Sequence, residues 1–428
     1  MRILIVNTTL HTGGASIAAG RLADALRRAG HEVKLLSRRK SLLNGLRFVW
    51  ERCEALYSNG FDYSHVFAVD HGRCGTDITH LPDFEWAEVV HLHWVNQAML
   101  GLNDLERLVK RCSTTGKRLV WTLHDIWPAT GICHLPELCT EWTRSCGNCP
   151  CLRHNLLTQL LPHCGRSAHD LSFRTFLRKK RIYALGPIAF VACSRYLAER
   201  VRRSPLMEGQ EVTDIANPLD TDFFSPLADD GGEARNALRQ RLRLPQEKTI
   251  LLFVSFNIND SNKGFPIFTD AVNALVGRRR EQLQQVAVVA VGKHATRHTG
   301  NFACEMIPFE YVAERTLMRD LYRAADVFTI ASMMENLPNT IVEAKACGLP
   351  VVATRVGGIP QMIRQNVDGC LVEPGNATAL ADAREHIVTH PHRDILAAAA
   401  RSEAVDTYSP ANVVRRYMEI YRGGQASI

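Results

Sequence analysis

The chain has 428 residues, of which 46% are apolar and 22% charged, and a formal net charge of +7. This composition suits two or three folded α/β domains and excludes a disordered chain. No apolar run reaches the roughly 18 residues of a membrane-spanning helix, and the first one is too short for a signal peptide. We therefore expect a cytoplasmic protein, whose thirteen cysteines indicate metal binding or buried thiols rather than disulfides. The modest positive charge is compatible with an anionic partner or with scattered surface charge.

The first half of the chain opens with an alternation of strand, loop, helix and strand. An apolar strand at residues 2–6 leads through a loop ending in Gly13 and Gly14 to an amphipathic helix. Ser16 is the predicted N-cap of this helix, and Gly30 ends it. The glycine turn of such a βαβ unit lets a ligand approach the start of the helix. The other strands predicted in this half are residues 31–37, 89–93, 118–123 and 188–193.

The second half repeats this arrangement. A segment with two prolines at residues 217–226 marks the passage between the halves. An apolar strand at residues 249–255 is followed by a polar loop ending in Lys263 and Gly264, and then by a helix at residues 266–276. Two parallel, doubly wound sheets follow from this alternation, with a ligand in the cleft between them, at the carboxyl ends of the strands. The other strands predicted in this half are residues 286–291, 326–332 and 350–354.

Two glutamates flank a predicted helix start in the second half. Glu335 lies in the loop after the strand at residues 326–332, and Glu343 lies in the helix that starts near Pro338. The backbone N–H groups of a helix start attract anions, and carboxylates accept hydrogen bonds from hydroxyl groups. The segment therefore predicts a site for a sugar diphosphate.

This segment resembles the glutamate-x7-glutamate signature of retaining glycosyltransferases of family 4. The matching residues 335–354 read ENLPNTIVEAKACGLPVVAT, and GGIP follows at residues 357–360. The resemblance implies an α/β protein of the GT-B fold, with two facing Rossmann-like domains built on doubly wound parallel sheets. It also implies a last helix, at residues 411–421, that crosses back onto the first domain. The expected domains are an N-terminal acceptor-side domain at 1–215 with a cysteine-rich insert at 131–165, a donor-binding domain at 216–407, and a C-terminal helix segment at 408–428.

The resemblance also implies roles for individual residues. It places Glu335 beside the transferred sugar, where a carboxylate stabilises positive charge at the anomeric carbon, and Glu343 on the ribose hydroxyl groups. It places Lys263 on the donor diphosphate, and His124 near the donor sugar and the acceptor. The catalytic residues are then His124 and Glu335, and catalysis uses no cofactor. The other donor-binding residues that it implies are Gly13, Gly14, Asn336, Leu337, Pro338, Asn339 and Thr340.

Alternatives and departures accompany this assignment. A solvated surface role is the alternative for the two acids, and a structural role is the alternative for His124. The loop at residues 256–262 has no arginine before Lys263, so a second positive charge on the diphosphate is absent or comes from elsewhere. Gln361 stands where the family commonly has an acid after GGIP.

A cluster of cysteines occupies residues 133–151. Cys146 and Cys149 have the Cys-x2-Cys spacing of a metal knuckle, and Cys133 and Cys139 complete a set of four thiolates. We predict a structural zinc site here, with reduced, buried thiols as the alternative. The insert also resembles that of exopolysaccharide glycosyltransferases of the colanic acid type.

A basic amphipathic helix is predicted at residues 171–183. Phe173, Phe176 and Leu177 share one face, and several arginines lie elsewhere on the helix. Such a helix can lie on an anionic membrane that carries a lipid-linked acceptor. The alternative is that its apolar face packs inward and its charges are solvated.

These features together predict a retaining hexosyltransferase. It would move a sugar from a nucleotide-diphosphate sugar to a growing, polyprenyl-lipid-linked surface polysaccharide at the inner face of the cytoplasmic membrane. A GT-B sugar-nucleotide epimerase and a noncatalytic polysaccharide-assembly subunit are the alternatives. Nucleic-acid binding is disfavoured, because the basic residues are not interleaved with aromatic ones.

Overall fold

The computed structural model describes residues 1–10, 13–38, 41–62, 66–136, 138–152, 166–228, 232–278 and 285–423. Residues 153–165 of the cysteine-rich insert therefore lie outside the described residues. The chain divides into two compact units, Met1–Pro218 with the C-terminal segment from Val413, and Leu219–Asn412. Within the described ranges, none of the helices combines the length and the apolar character needed to cross a membrane.

A six-stranded parallel sheet forms the centre of the first unit. The strands are β1 (Arg2–Val6), β2 (Glu32–Leu36), β3 (Val89–Leu92), β4 (Arg118–Leu123), β5 (Ala189–Ala192) and β6 (Glu211–Asp214). Their order is β2-β1-β3-β4-β5-β6, and the central strands are buried along nearly their whole length. This burial explains their continuous apolar sequences. The helices are α1 (Gly14–Arg28), α2 (Leu42–Ser58), α3 (Pro82–Trp86), α4 (Leu102–Thr115), α5 (Leu171–Tyr183) and α6 (Arg195–Arg202).

The first helix differs from its prediction at one end. It begins at Gly14 with Gly13 as N-cap at φ 89°, so the predicted N-cap Ser16 is wrong. The Ser16 hydroxyl instead accepts a hydrogen bond of 3.0 Å from the side-chain amide of Asn7, which ties the loop to the helix. The predicted end at Gly30 is confirmed, because Gly30 has φ 85° and the two amides after the helix donate to carbonyl groups of its last turn.

The second unit is built on another six-stranded parallel sheet. Its strands are β7 (Thr249–Asn257), β8 (Val286–Lys293), β9 (Glu305–Phe309), β10 (Val327–Ile330), β11 (Val351–Thr354) and β12 (Gly369–Val372). Their order is β12-β11-β10-β7-β8-β9, that of a doubly wound dinucleotide-binding sheet. The helices are α7 (Glu233–Arg241), α8 (Phe265–Val276), α9 (Arg315–Ala324), α10 (Asn339–Ala346), α11 (Ala377–Val388) and α12 (Arg393–Tyr408). Helices α8 and α11 pack together in the apolar core of this unit.

The last helix, α13 (Pro410–Tyr421), belongs to the core of the first unit. Val413 and Tyr417 pack in one apolar cluster with Ile3 of β1. The Tyr421 hydroxyl lies 2.8 Å from Nδ1 of His91, inside the same unit. The predicted pair of doubly wound domains, with a last helix that returns to the first, is therefore confirmed.

Candidate active site

The second sheet reverses its strand order between β7 and β10, and ligands of doubly wound sheets bind at such a point. Lys263 follows β7 and Glu335 follows β10. The Lys263 ammonium donates to Glu335 Oε1 at 2.5 Å, and the Ser332 hydroxyl donates to the same oxygen at 3.0 Å. The structure thus brings together two of the predicted site residues from sequence positions 72 residues apart.

The Lys263 loop is held against the Glu335 loop by its backbone. Gly264 has φ 67°, and a Cβ at this position would lie 1.9 Å from the carbonyl oxygen of Ala331. The amide of Met333 donates to the carbonyl oxygen of Asn262 at 2.8 Å. Only glycine fits this close approach, so the Lys-Gly pair is needed to place the ammonium beside the carboxylate.

A second glycine fixes the Glu335 backbone from the other side. Gly357 has φ 54°, and a Cβ there would lie 1.7 Å from the carbonyl oxygen of Glu335. The GGIP segment at residues 357–360 therefore passes directly against the main chain of Glu335. This contact explains why the first position of that motif is a glycine.

Helix α10 supplies the other predicted donor-binding groups. It begins at Asn339 after the N-cap residue Pro338, which has no side-chain cap hydrogen bond. Of the amides of its first turn, that of Ile341 donates to the carbonyl oxygen of Pro338 at 3.2 Å. The N–H groups of a helix start are the groups that an anion site uses. Glu343 lies one turn further along, where the Tyr322 hydroxyl donates to its Oε2 at 3.1 Å. Tyr322 is buried, so it fixes the position of this carboxylate.

The charges of the pair remain accessible. The Lys263 side chain is 31% exposed and that of Glu335 is 13% exposed. An ammonium has three N–H donors, so contact with one carboxylate oxygen leaves others for an anion placed alongside. The arrangement can therefore offset negative charge on a diphosphate and positive charge on a sugar at adjacent positions.

A second cation lies near the loop that lacks the family's arginine. Lys293, the last residue of β8, pairs in register with Asn257 at the end of β7. Its ammonium lies 4.3 Å from the ring centroid of Phe256. The carboxyl edge of this sheet therefore presents Lys293 in addition to Lys263.

The first unit has its own reversal of strand order, between β1 and β3. Gly13 and Gly14 follow β1, and a Cβ at either would meet no atom of the described residues within 4 Å. His124, at the end of β4, places Nε2 2.9 Å from Nδ1 of His93, which follows β3. The two rings stack with centroids 5.2 Å apart.

The two histidines are neutral at physiological pH. Burial lowers the pKa of His124 to about 4, against a smaller opposing effect of Asp125. Burial, together with the neighbouring histidines, holds the pKa of His93 well below its usual value. A neutral imidazole can exchange hydrogen bonds with a hydroxyl group without carrying a charge.

Asp125 is held by three donors. Its carboxylate accepts hydrogen bonds from Trp94 Nε1 at 2.9 Å, the Trp127 amide at 2.8 Å and His134 Nδ1 at 2.8 Å. Burial alone would raise the pKa of Asp125, but the His134 ring and the other donors hold it below its ordinary value. A charged carboxylate thus fixes the loop that follows His124.

Two family models match consecutive parts of the chain. The one described as Glycosyltransferase Family 4 matches residues 12–223, and the one described as Glycosyl transferases group 1 matches residues 248–390. Both halves of the chain are glycosyltransferase domains. The first match contains the His124 edge of β4, and the second contains Lys263, Glu335 and Glu343.

Curated proteins with similar sequences are named as glycosyltransferases. D-inositol 3-phosphate glycosyltransferase from Xylanimonas cellulosilytica is 30% identical over 225 residues, which is 50% of this chain and 52% of that protein. The chain thus spans about half the length of the curated relatives it matches.

Solved structures share the whole fold. A glycosyltransferase from Rickettsia africae matches with a TM-score of 0.61 and 17% identity over 98% of this chain and 97% of that one. HepE from Anabaena in complex with UDP-glucose matches with a TM-score of 0.61 and 16% identity over 98% and 99%. The predicted GT-B fold is therefore confirmed.

The four cysteines of the predicted zinc site gather around one small cavity. Cys133, Cys139, Cys146 and Cys149 line a space of about 20 Å³. Burial raises the pKa of Cys146 to about 12 and raises that of Cys133 still further. In the described ranges, no group of three or more His, Cys, Asp or Glu side chains meets the spacing needed to hold a metal ion. Cys133 and Cys149 are buried, whereas Cys139 and Cys146 are only partly buried. The structural zinc and its alternative of reduced thiols both stay predictions.

The basic amphipathic helix is present as α5, and its apolar face is partly buried. Phe176 is buried, and Lys179 is buried with its ammonium donating to the carbonyl oxygens of Trp127 at 2.7 Å and Thr130 at 3.0 Å. Phe173 and Leu177, the other two residues of the predicted face, are only partly buried. Inward packing is thus observed at Phe176, and the membrane contact stays a prediction.

Sequence reasoning missed several residues that position the site. His93 is the last residue of a predicted strand, and His124 directly follows another. The sequence could therefore have predicted that both histidines lie at the same edge of the sheet. Tyr322 lies in a helix and Lys293 in a strand, and neither sequence indicates that the residue lies near the site. Their positions depend on the order of the strands in the sheet.

Proposed function

We propose that this protein is a retaining hexosyltransferase, which moves a sugar from a nucleotide-diphosphate sugar to a lipid-linked saccharide of a surface polysaccharide. We further propose that it works at the inner face of the cytoplasmic membrane. The observation that carries the proposal is the contact between Lys263 and Glu335 at the strand-order reversal, beside the start of helix α10.

Lys263 and the first turn of α10 act on the leaving group. When the bond between the anomeric carbon and the diphosphate oxygen breaks, its electron pair goes to the diphosphate. The ammonium and the first amides of the helix, including those of Asn339 and Thr340, stabilise that charge. Lys293 is the candidate for the second cation that the family's arginine would supply.

Glu335 acts on the transferred sugar. Its carboxylate, held by Lys263 and Ser332, orients sugar hydroxyl groups and stabilises positive character at the anomeric carbon. The acceptor hydroxyl oxygen forms the new bond, and its proton goes to the departing diphosphate. Glu343, fixed by Tyr322, accepts hydrogen bonds from the ribose hydroxyl groups.

His124 serves the sugar and acceptor side of the reaction. Because its imidazole is neutral and bonded to His93, it can accept or donate one hydrogen bond to a hydroxyl group without a charge. HepE from Anabaena binds UDP and UDP-glucose, and the curated relatives are named as glycosyltransferases. Both facts support a nucleotide-sugar donor.

The test is transfer with the full chain. Purified protein is incubated with radiolabelled UDP- and GDP-sugars and a membrane extract, and transfer to the lipid fraction is measured. We expect label from one nucleotide sugar in that fraction, and a thermal shift with its nucleotide, since a ligand at 100 times its Kd stabilises by about 2.7 kcal/mol. Conversion of the donor sugar without an acceptor would favour an epimerase. A protein that no nucleotide stabilises would contradict the proposal.

A further inference from the structure

Helix α2 of the first unit has its apolar side on the outside. Leu42, Leu43 and Trp50 are 82%, 68% and 66% exposed, and Leu46 and Val49 are 57% and 55% exposed. Positions 42, 46 and 49 and positions 43, 46 and 50 follow the spacing of three or four residues that puts side chains on one face of a helix. These five residues therefore form one continuous surface, the α2 stripe.

The opposite side of α2 is buried and carries polar and charged groups. Asn44, Glu51 and Arg52 are 9%, 1% and 9% exposed. The Arg52 guanidinium donates to the carbonyl oxygen of Val66 at 2.6 Å and to the Asp70 carboxylate at 3.3 Å. Burial, together with that carboxylate, raises the pKa of Glu51 to about 9. A surface helix normally turns its apolar side inward, so α2 has the reverse orientation, and the buried bonds of Arg52 fix it.

The α2 stripe has the composition of a surface that enters a layer of lipid headgroups. Single exposed apolar side chains are ordinary, but a continuous row of large ones indicates a surface that binds apolar matter. Tryptophan is enriched at the level of the headgroups, because its ring is apolar and its N–H group is polar. Trp50 stands in the row beside leucines and a valine, so the stripe suits a helix that lies in the plane of a bilayer surface.

The chain around the stripe is basic. Residues 38–50 include no Asp or Glu and four basic residues, Arg38, Arg39, Lys40 and Arg47. Arg47 is exposed, and its guanidinium donates to the side-chain oxygens of Asn44 at 3.3 Å and Thr76 at 3.2 Å. Arg38 donates to the carbonyl oxygen of Gln97. These acceptors are neutral and leave both positive charges uncompensated, so the surface favours an anionic partner.

We propose that helix α2 docks the protein on an anionic lipid bilayer. The α2 stripe enters the boundary between headgroups and acyl chains, and the basic residues beside it contact the lipid phosphates. The inference rests on the proposed function, because that function includes work at a membrane, and it names the surface that makes the contact. This surface is distinct from the face of α5 for which the sequence predicts membrane contact.

Flotation of the full chain with lipid vesicles tests the docking surface. The vesicles contain phosphatidylcholine alone, or phosphatidylcholine with about one third of the anionic lipid phosphatidylglycerol. We expect binding to the anionic vesicles to be at least about tenfold tighter. It should weaken when salt is raised from about 0.1 M to about 0.5 M, because salt screens the attraction. Equal binding to both kinds of vesicle, or binding to neither, overturns the proposal.

Variants of α2 locate the contact. The double change Leu46→Ser with Trp50→Ser should weaken binding to the anionic vesicles by at least about tenfold, because it removes two apolar side chains from the stripe. Trp50→Phe keeps an apolar ring and should change binding by less than about threefold. Arg47→Gln removes one positive charge and should weaken binding by about fivefold. A double variant that binds like the wild type would refute the role of the stripe.

Matched controls lie elsewhere on the surface. Ile395→Ser with Val367→Ser changes two apolar residues that are 59% and 45% exposed, and Arg415→Gln removes a charge from a side chain that is 66% exposed. Both should bind the vesicles like the wild type, and losses equal to those of the α2 variants would overturn the assignment. So would an α2 double variant that alters only the oligomeric state, since the stripe would then bind a second copy of the chain.

The nucleotide-induced thermal shift is measured on the same variants, whose unliganded melting temperatures report folding. A wild-type shift with UDP or GDP but no preference for anionic vesicles refutes the docking surface alone. Absence of any nucleotide shift refutes the proposed function, whatever the vesicles do.

Discussion

The side chains at the two strand-order reversals of this molecule differ in charge. In the second unit, Lys263 and Glu335 form a charged pair that is partly exposed. In the first unit, His93 and His124 form a buried pair, and burial keeps both rings neutral. On the proposed function, the charged pair would stabilise charge that develops in the reaction, and the neutral pair would recognise a hydroxyl group. The same sheet architecture thus supports two different kinds of site.

The charged pair should respond most strongly to mutation. Glu335→Ala removes the acceptor of Lys263 and the group that stabilises the sugar, so kcat should fall by about 10²- to 10³-fold. The donor Kd should change far less, and both are measured with the true donor. Asp394→Ala, an exposed acid of the same unit, is the control. Turnover close to that of the wild type in Glu335→Ala would refute the role assigned to this residue.

The neutral histidine pair should make the free energy of unfolding fall at acidic pH. The folded pKa of His124, about 4, lies below the unfolded value of about 6.5. Its contribution to stability is therefore complete above pH 6.5 and is lost as the pH falls through 4, and it amounts to about 3 kcal/mol. Urea unfolding from pH 7.5 to 4.5 measures this loss.

The variant His124→Gln isolates that contribution, because its amide can still bond to His93. Between pH 6.5 and 4 its unfolding free energy should fall less steeply, by up to about 1.4 kcal/mol per pH unit. An unchanged slope would mean that His124 is not neutral in the folded protein.

Glu343 should separate binding from turnover. Glu343→Ala removes a charged acceptor of the ribose hydroxyl groups, so the donor Kd should rise by about tenfold or more with a smaller change in kcat. Tyr322→Phe removes the 3.1 Å hydrogen bond to Glu343 and should cost about threefold. Isothermal titration with the nucleotide measures the Kd of both variants. A larger loss in kcat than in affinity would place Glu343 on the sugar instead.

The cysteine cluster should give the smallest effect. If the thiols are protonated, purified protein will contain less than about a tenth of an equivalent of zinc, and a chelator will not change the melting temperature. A content near one equivalent, lost together with stability on chelation, would instead establish the predicted zinc site.

The sequence predicted the central strands and the edge strand β2, but it missed the other three edge strands. Strands β1, β3, β4, β7, β8 and β10 are buried, and their continuous apolar sequences identify them. The edge strands β6 and β9 are only partly buried, and β9 contains Pro308, so they lack a continuous apolar signal. β12 has four residues and follows a turn, which is too little sequence for a pattern.

The site was predictable where a motif carries it. Lys263, Glu335 and Glu343 stand in motifs of the resembled family, and the structure places each at the carboxyl edge of the sheet or in the helix beside it. Their supports were not predictable, because Tyr322 and the close approach of Gly357 to Glu335 depend on contacts between separate elements. Helix α2 is another example. Leucines such as Leu42 and Leu46 are expected to be buried, and only the structure shows that they are exposed.

Helix α13 has a consequence for synthesis of the chain. Tyr417 and Tyr421 complete the apolar core around β1 and β3, yet the ribosome makes them only after the whole of the second unit. At about 5–20 residues per second, the roughly 200 intervening residues take about 10–40 s. The first unit therefore waits in an incomplete form while the second can already fold, which reverses the usual order in which a nascent chain matures.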